Sequence, residues 1–211
     1  MTSAGDVAAQ GSVRYPEARL LVFAKAPVPG EVKTRLIPAL GAQGAAALQA
    51  RLTRRAVETA LAANVAPVEL WCSPDDRHPF FHELPVARRV QRGTDLGERM
   101  ADALCTALAQ SRFAILIGTD CPTLTDDYLR DAAECLALGE DAVLGPAEDG
   151  GYVLIGLRRC EARLFEGIAW GTAEVLAATR ARLAECGFHW HELPTLWDVD
   201  RVDDLARLPL Q

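Results

Sequence analysis

Leu20-Leu21-Val22-Phe23-Ala24-Lys25-Ala26-Pro27-Val28-Pro29-Gly30-Glu31-Val32-Lys33-Thr34-Arg35-Leu36 is the stretch on which the fold turns. An unbroken apolar run ending on a lysine reads as a strand covered on both faces, the habit of a parallel sheet. Two prolines and a glycine then force an irregular loop. The loop delivers Lys33 and Arg35 and runs into a helix. Three cations in eleven positions, opposed by Glu31 alone, suit an anion of several charges. A phosphate chain fits, since charge-assisted contacts to it are worth roughly 1.5–3 kcal/mol each. The alternative is a solvated basic turn.

Outward from this stretch, strands and helices alternate. Residues 42–63 read as a helix with Leu48, Leu52, Ala56 and Ala60 on its buried stripe, while Gln49, Arg51, Arg54, Arg55 and Glu58 point elsewhere. Strands follow over 68–72 and 86–91. Asp95, with Glu98 three later, has the layout of a capped helix start, although capping leaves Gln91 and Arg99 unexplained. The run 113–118 is a further buried strand, stopped by Thr119-Asp120-Cys121-Pro122. Thr125 caps the next helix. Residues 141–146 and 152–157 read as strands joined by a turn at 148–151. Trp170-Gly171-Thr172 opens a helix reaching 186, residues 188–193 form a late strand, and Leu196-Trp197-Asp198-Val199-Asp200 leads into a short last helix. The pattern predicts an α/β fold: a doubly wound, mostly parallel mixed sheet with helices on both faces, one strand returning antiparallel through Asp149-Gly150-Gly151.

The chain has 211 residues, which fits one domain over 18–211 behind a polar leader, 1–17, read as a disordered tail. With 22 basic and 29 acidic residues the net charge is −7, which argues against nonspecific nucleic-acid binding. No run reads as a membrane span or secretion signal. Six scattered cysteines form no Cys-x-x-Cys pair, so a zinc ribbon or redox dithiol has little support, and free thiols predict a cytoplasmic protein. His78 and His82 are separated by Pro79, which disfavours a metal pair. Gly-x-Ser-x-Gly and Walker sequences are absent, which removes serine-hydrolase and P-loop readings.

Ligands of open α/β sheets bind outside the carboxyl ends of strands. Lys25, Asp120 and Asp149 stand at such ends, and Asp198 and Asp200 follow the last strand. Cations from one loop and carboxylates from others are what a magnesium-bound polyphosphate requires. Asp120 is the strongest metal candidate, being badly placed to cap the distant helix; an Asx turn is its alternative. Asp149 precedes Gly150 and Gly151, which suit either a turn or close backbone approach to a ligand. Asp200 lies three before Asp203 and reads as a helix cap, leaving Asp198 the better ligand of that pair.

These motifs carry a resemblance. Phe-Ala-Lys-Ala-Pro-Val-Pro-Gly-Glu-Val-Lys-Thr-Arg-Leu (23–36), Gly-Thr-Asp-Cys-Pro (118–122), Gly-Pro-Ala-Glu-Asp-Gly-Gly-Tyr (145–152) and Trp-Gly-Thr (170–172) resemble the DUF2064 family over about residues 19–208. The family is also labelled rSAM/selenodomain-associated transferase 1 or arsenosugar-biosynthesis glycosyltransferase-like. The resemblance implies a GT-A-type, nucleotide-diphospho-sugar transferase fold. Lys25, Lys33 to Leu36, Asp95-Leu96-Gly97, Asp120 with Pro122, Asp149-Gly150-Gly151 and Asp198-Val199-Asp200 are further similar to phospholactate guanylyltransferases and molybdenum-cofactor nucleotidyltransferases. That similarity implies catalytic roles for Lys25, Lys33, Arg35 and Asp120, and nucleotide contacts from Ala24, Lys25, Gly30, Lys33, Arg35, Asp95, Gly97, Thr119, Gly150 and Gly151. It implies Mg2+ or Mn2+ on Asp120 with Asp198 or Asp200, and an acceptor near Asp149, Tyr152, Trp170, Gly171 and Thr172. Asp120-Cys121-Pro122 lacks the second aspartate of the Asp-x-Asp signature, and the proline loop replaces the group's glycine-rich one. The resulting expectation is a metal-dependent transferase moving a nucleotidyl group from an NTP to a small oxyanion acceptor, with no nucleic-acid or membrane partner. Glycosyl transfer from a nucleotide sugar and noncatalytic nucleotide binding are the alternatives.

Overall fold

The computed structural model describes residues 12–208. Its strands are β1 (Arg19–Lys25), β2 (Val68–Ser73), β3 (Ala87–Val90), β4 (Ala114–Ile117), β5 (Ala142–Pro146), β6 (Tyr152–Leu157) and β7 (Trp190–Glu192). They form one seven-stranded sheet in the order β3-β2-β1-β4-β6-β5-β7. Neighbours are parallel except at β6, which runs antiparallel to both β4 and β5. The α/β sheet expected from the sequence is therefore the one formed, with its reversal at the Asp149-Gly150-Gly151 turn.

The helices are α1 (Ile37–Ala63), α2 (Pro79–His82), α3 (Leu96–Leu108), α4 (Asp126–Leu138) and α5 (Val175–Glu185). They cover both faces, and β1 shows why its run carries no polar residue. Leu20, Val22 and Ala24 join a core with Ala56, Leu129 and Leu136 from α1 and α4. Leu21 and Phe23 alternate to the other face, among Met100, Leu104 and Leu183 from α3 and α5. Each large side chain so buried contributes about 1.5–3 kcal/mol. Order diverges beside β1: the chain passes outward to β2 and β3, then returns to β4 on the other flank. A crevice opens beyond the carboxyl ends of β1 and β4.

Local chemistry sets the helix ends. Asn64 in the left-handed conformation (φ 52°) closes α1. Asp95 Oδ1 accepts from the Glu98 amide, and Thr125 Oγ1 from the Tyr128 amide, as their sequence positions predict. The regular part of α1 begins after Gly41, whose φ of 68° breaks it from a short preceding turn.

Several expectations need correction. Gln49, read as outward-facing, is 5% exposed, because its amide bonds Thr53 and Thr119 across the α1–sheet interface. Trp170-Gly171-Thr172 stay outside the helix. Gly171 takes φ 80°, and the Thr172 hydroxyl bonds the Ala169 carbonyl and receives the Glu174 amide, so α5 starts later. The last helix is a 3-10 turn over Val202–Arg207, and its Asp204 carboxylate accepts from the Asp200 and Arg201 amides just before it; the Asp200 carboxylate, read as its cap, is drawn to Arg35 instead. Cys105 and Cys160 form a disulfide joining α3 to the segment after β6, so the six cysteines are not all free thiols. Of the 1–17 leader, 1–11 lie outside the described residues. Arg14 and Tyr15 bond the backbone at Asn64 and Val65, and the Tyr15 ring packs edge-on to Phe113, so that part of the leader is held to the body. Among the described residues no helix is long and apolar enough to cross a membrane.

Candidate active site

The crevice beyond β1 and β4 is a cleft of about 770 Å³. Lys25, Lys33, Arg35, Asp120, Asp149, Asp198 and Asp200 all border it, so the strand-end residues singled out in the sequence do converge. The three cations of the opening loop nonetheless have three different surroundings. Lys25 stands at the exposed end of β1, and its ammonium has no partner among the described residues. Arg35 pairs with Asp200 at the surface, a contact worth about 1 kcal/mol at most.

Lys33 is the unusual one. Its backbone is left-handed (φ 49°), a conformation costing a side-chain-bearing residue roughly 1–2 kcal/mol. That turn drives the side chain inward until it is 5% exposed. The ammonium donates to Asp120 Oδ1 (2.8 Å) and to the Val199 carbonyl (2.6 Å). Two such charge-assisted bonds, at about 1.5–3 kcal/mol each, offset the strain. Lys33 is thus a strut beneath Asp120, while Lys25 remains free to meet a ligand.

The carboxylates share one wall. Val199 is fully buried among Leu36, Leu48 and Leu52, and its amide donates to the Asp120 carbonyl (2.8 Å). The Asp198-Val199-Asp200 segment is therefore pinned at its centre, between β4 and the Lys33 loop. Asp120 keeps its side chain 48% exposed to the cleft. Burial pushes the Asp198 carboxyl up to about 6, with the charges of Asp149 and Asp120 adding to the rise and its own backbone amide and Lys33 opposing it. Asp149 Oδ1 accepts the Gly151 amide (2.8 Å), so the Asx turn forms while the residue still borders the cleft. Gly150 has φ 87°, and a Cβ there would lie 2.2 Å from the Ala173 carbonyl oxygen, so it serves close packing of two loops.

The Asp198 carboxyl, raised by burial and by the charges of Asp149 and Asp120, stands where a cation would relieve the repulsion. Among the described residues no three acidic, His or Cys side chains make a ready cage for an ion. Magnesium and manganese need no such cage: one or two carboxylates suffice when phosphate oxygens and water complete the octahedron. An all-oxygen donor set suits those hard ions. Asp120 and Asp198 fit the requirement. Asp200, held by Arg35, fits it less well.

Other predicted contacts are split. Ala24 and Thr119 border the cleft, with Thr119 Oγ1 donating to Asp120 Oδ1 (3.4 Å) and receiving Gln49 Nε2 (3.2 Å). Asp95 borders it too while capping α3, and Glu98 braces the same turn by accepting from the Thr94 amide and hydroxyl; those bonds lower the Glu98 pKa. Gly30 (φ 89°) shapes an open turn away from the cleft lining. Gly97 lies under Trp170: a Cβ there would come within 2.6 Å of the indole Nε1. Sequence reasoning left two cleft residues without a role. Arg99 is aimed by bonds to the Gly93 carbonyl and Ser73 Oγ, and Gln91 by one to the Trp71 carbonyl. Their signal was that capping did not explain them. The five residues expected near an acceptor, Asp149, Tyr152, Trp170, Gly171 and Thr172, line one apolar pit of about 200 Å³ opening off the carboxylate end, where they meet Phe23, Leu96 and Met100, which sequence reasoning had not placed there.

A family model described as "Uncharacterized protein conserved in bacteria (DUF2064)" matches residues 56–172. Among solved structures, a protein from Desulfovibrio desulfuricans G20, provisionally assigned as a nucleotide-diphospho-sugar transferase, is 34% identical with a TM-score of 0.83, over 90% of this chain and 85% of that one. CMP:2-keto-3-deoxy-manno-octonic acid synthetase complexed with CTP is 12% identical (TM-score 0.57; 90% and 96% covered). Rv0371c from Mycobacterium tuberculosis H37Rv, in complex with manganese, is 16% identical (TM-score 0.54; 91% and 97% covered). The last two share the fold. No curated protein matches the chain.

Proposed function

The chain belongs to the DUF2064 family, and from that premise we propose that it is a divalent-metal-dependent transferase acting on a nucleotide, with nucleotidyl transfer from an NTP to a small oxyanion acceptor as its reaction. The observation that carries the reading is that one cleft brings the free Lys25 ammonium together with the carboxylates Asp120, Asp149 and Asp198. The shared fold of a CTP-bound synthetase and of a manganese-bound protein supports it.

In this reading Asp120 and Asp198 hold magnesium or manganese. When bound, the ion neutralises phosphate charge and polarises the phosphoryl group under attack. Lys33 keeps Asp120 turned into the cleft. Lys25 and Arg99 take phosphate oxygens and offset the charge that develops as an acceptor oxygen bonds the α-phosphorus and the bond to the β-phosphate breaks. Pyrophosphate leaves, and no protein nucleophile is needed. Arg35 and Asp200 shape the outer rim.

The 34% identity to a protein provisionally assigned to nucleotide-diphospho-sugar transfer favours glycosyl transfer as the second reading. In it the same carboxylates and cations steady a nucleoside-diphosphate leaving group. Incubation with each NTP and with UDP- and GDP-sugars, plus manganese, decides between them. Pyrophosphate release from an NTP is the expected result. Metal-dependent stabilisation by sugar nucleotides alone would overturn it, and no response to any nucleotide would point to a protein without this site.

A further inference from the structure

The cleft divides into a charged half and an apolar pit, and the pit constrains the second substrate. It is built by two close approaches that only glycine permits. Gly97 lets the Trp170 indole settle over the start of α3, and Gly150 lets the Ala173 backbone close against the Asp149 turn. Phe23, Leu96, Met100 and Val175 complete apolar walls around about 200 Å³. That is somewhat more than the engineered 150 Å³ cavity known to take benzene. Leu96, although 45% exposed, lines both the pit and the cleft it adjoins.

The polar groups that reach the pit are largely occupied. The Tyr152 hydroxyl donates to Met100 Sδ (3.9 Å), the Thr172 hydroxyl to the Ala169 carbonyl (2.8 Å), and the Gly151 amide to Asp149 (2.8 Å). The Trp170 indole N–H, turned towards Gly97, has no partner among the described residues. The groups left open at the pit, the Trp170 N–H and Asp149 Oδ2, can meet only a few hydroxyls, so a polyhydroxylated sugar seated here would leave the others without partners, each one a loss of affinity. An aryl or branched alkyl group loses nothing and gains burial.

Resting on the transferase reading, we propose that the acceptor carries an apolar group of about benzene to indole size, seated in this pit, with its nucleophilic oxyanion directed past Asp149 to the metal–phosphate end of the cleft. The acceptor class is an aryl- or branched-alkyl-bearing phosphate or carboxylate rather than a sugar phosphate.

Calorimetry on the full chain with magnesium compares phenyl phosphate with glucose 1-phosphate, two monoesters of matched charge. Phenyl phosphate is expected to bind at least about tenfold more tightly. Leu96→Glu, at an exposed position that folding tolerates, is expected to shrink that ratio to about threefold or less, and Trp170→Ala to do the same. Equal or tighter binding of glucose 1-phosphate overturns the proposal. So does an aryl preference that survives both substitutions. Nucleotide-induced thermal stabilisation, measured on the same samples, tests the transferase reading alone: its absence alongside a Leu96-dependent aryl preference would remove the nucleotide and leave the pit.

Discussion

The charged half of the cleft and the apolar pit meet at Asp149, Tyr152 and Gly171, yet they are built on opposite terms. The charged half uses residues at strand ends, held by specific bonds: Lys33 to Asp120, Val199 to the Asp120 carbonyl, Arg99 to Ser73. The pit uses ordinary core residues that happen to stop short of one another, and two glycines set its width. One half fixes charge and geometry, which is what chemistry on a phosphate needs. The other fixes volume, which is what discrimination between acceptors needs. Reaction and specificity are thereby separable in this molecule, and substitutions in the two halves should fail differently.

The largest effect is expected from the carboxylates. Asp198→Asn should lower metal-dependent turnover by about a hundredfold or more, read as steady-state rate at saturating manganese, while thermal stability is kept or improved, since a charge that burial disfavours is removed. Lys25→Ala comes next. Losing one charge-assisted phosphate contact should weaken nucleotide binding by about tenfold to a hundredfold. Unfolding free energy should stay within about 0.5 kcal/mol of the parent, because the Lys25 ammonium has no partner among the described residues. Lys33→Met should reverse that pattern. It leaves the buried Val199 carbonyl without a donor, and denaturant titration should show a loss of about 1–3 kcal/mol. A Lys33→Met variant as stable as the parent would deny the strut.

The pit is broken from its floor. Gly97→Ala puts a methyl where the Trp170 indole lies, and should cost about 1–3 kcal/mol of stability and quench or shift the tryptophan emission. The smallest effect concerns pH. Asp198 is raised from 3.8 to about 6, so its protonated form favours the folded state fully below about pH 3.8, and that contribution fades as pH rises through about 6. Metal must displace the proton, so the stabilisation by manganese and nucleotide should grow across the same window. A metal-induced shift in melting temperature that is flat from about pH 5 to pH 7 would remove Asp198 from the ion's ligands.

Much of the charged half was legible because its residues interrupt a pattern. Lys25 ends β1 and Asp120 follows β4 by three residues, and neither is needed by a helix, so chemistry was the economical explanation. What could not be read was which cation stayed free. The left-handed turn at Lys33 and the burial of Val199 are decided by tertiary contact, and both are silent in a string that shows Lys33 and Lys25 as equals. Gln49 misled for a related reason: a polar residue beside the apolar stripe reads as solvent-facing until Thr119 is known to lie across from it. The pit was legible only in part: the resemblance named Asp149, Tyr152, Trp170, Gly171 and Thr172, but Phe23, Met100 and Leu116 each look like core where they stand. A cavity is a property of several elements at once, and no period or motif announces it. The Cys105–Cys160 pairing escaped for the same cause, since spacing of 55 residues carries no signature.

The account stands on one arrangement: carboxylates held by Lys33, facing a free Lys25, and completed by a metal-bound nucleotide. Manganese binding to the full chain, titrated with and without CTP or GTP and repeated on Asp120→Asn, tests it most directly. The account predicts that nucleotide tightens manganese binding by about tenfold or more in the parent and that Asp120→Asn abolishes the enhancement. Equal enhancement in both proteins, or none in either, would contradict it.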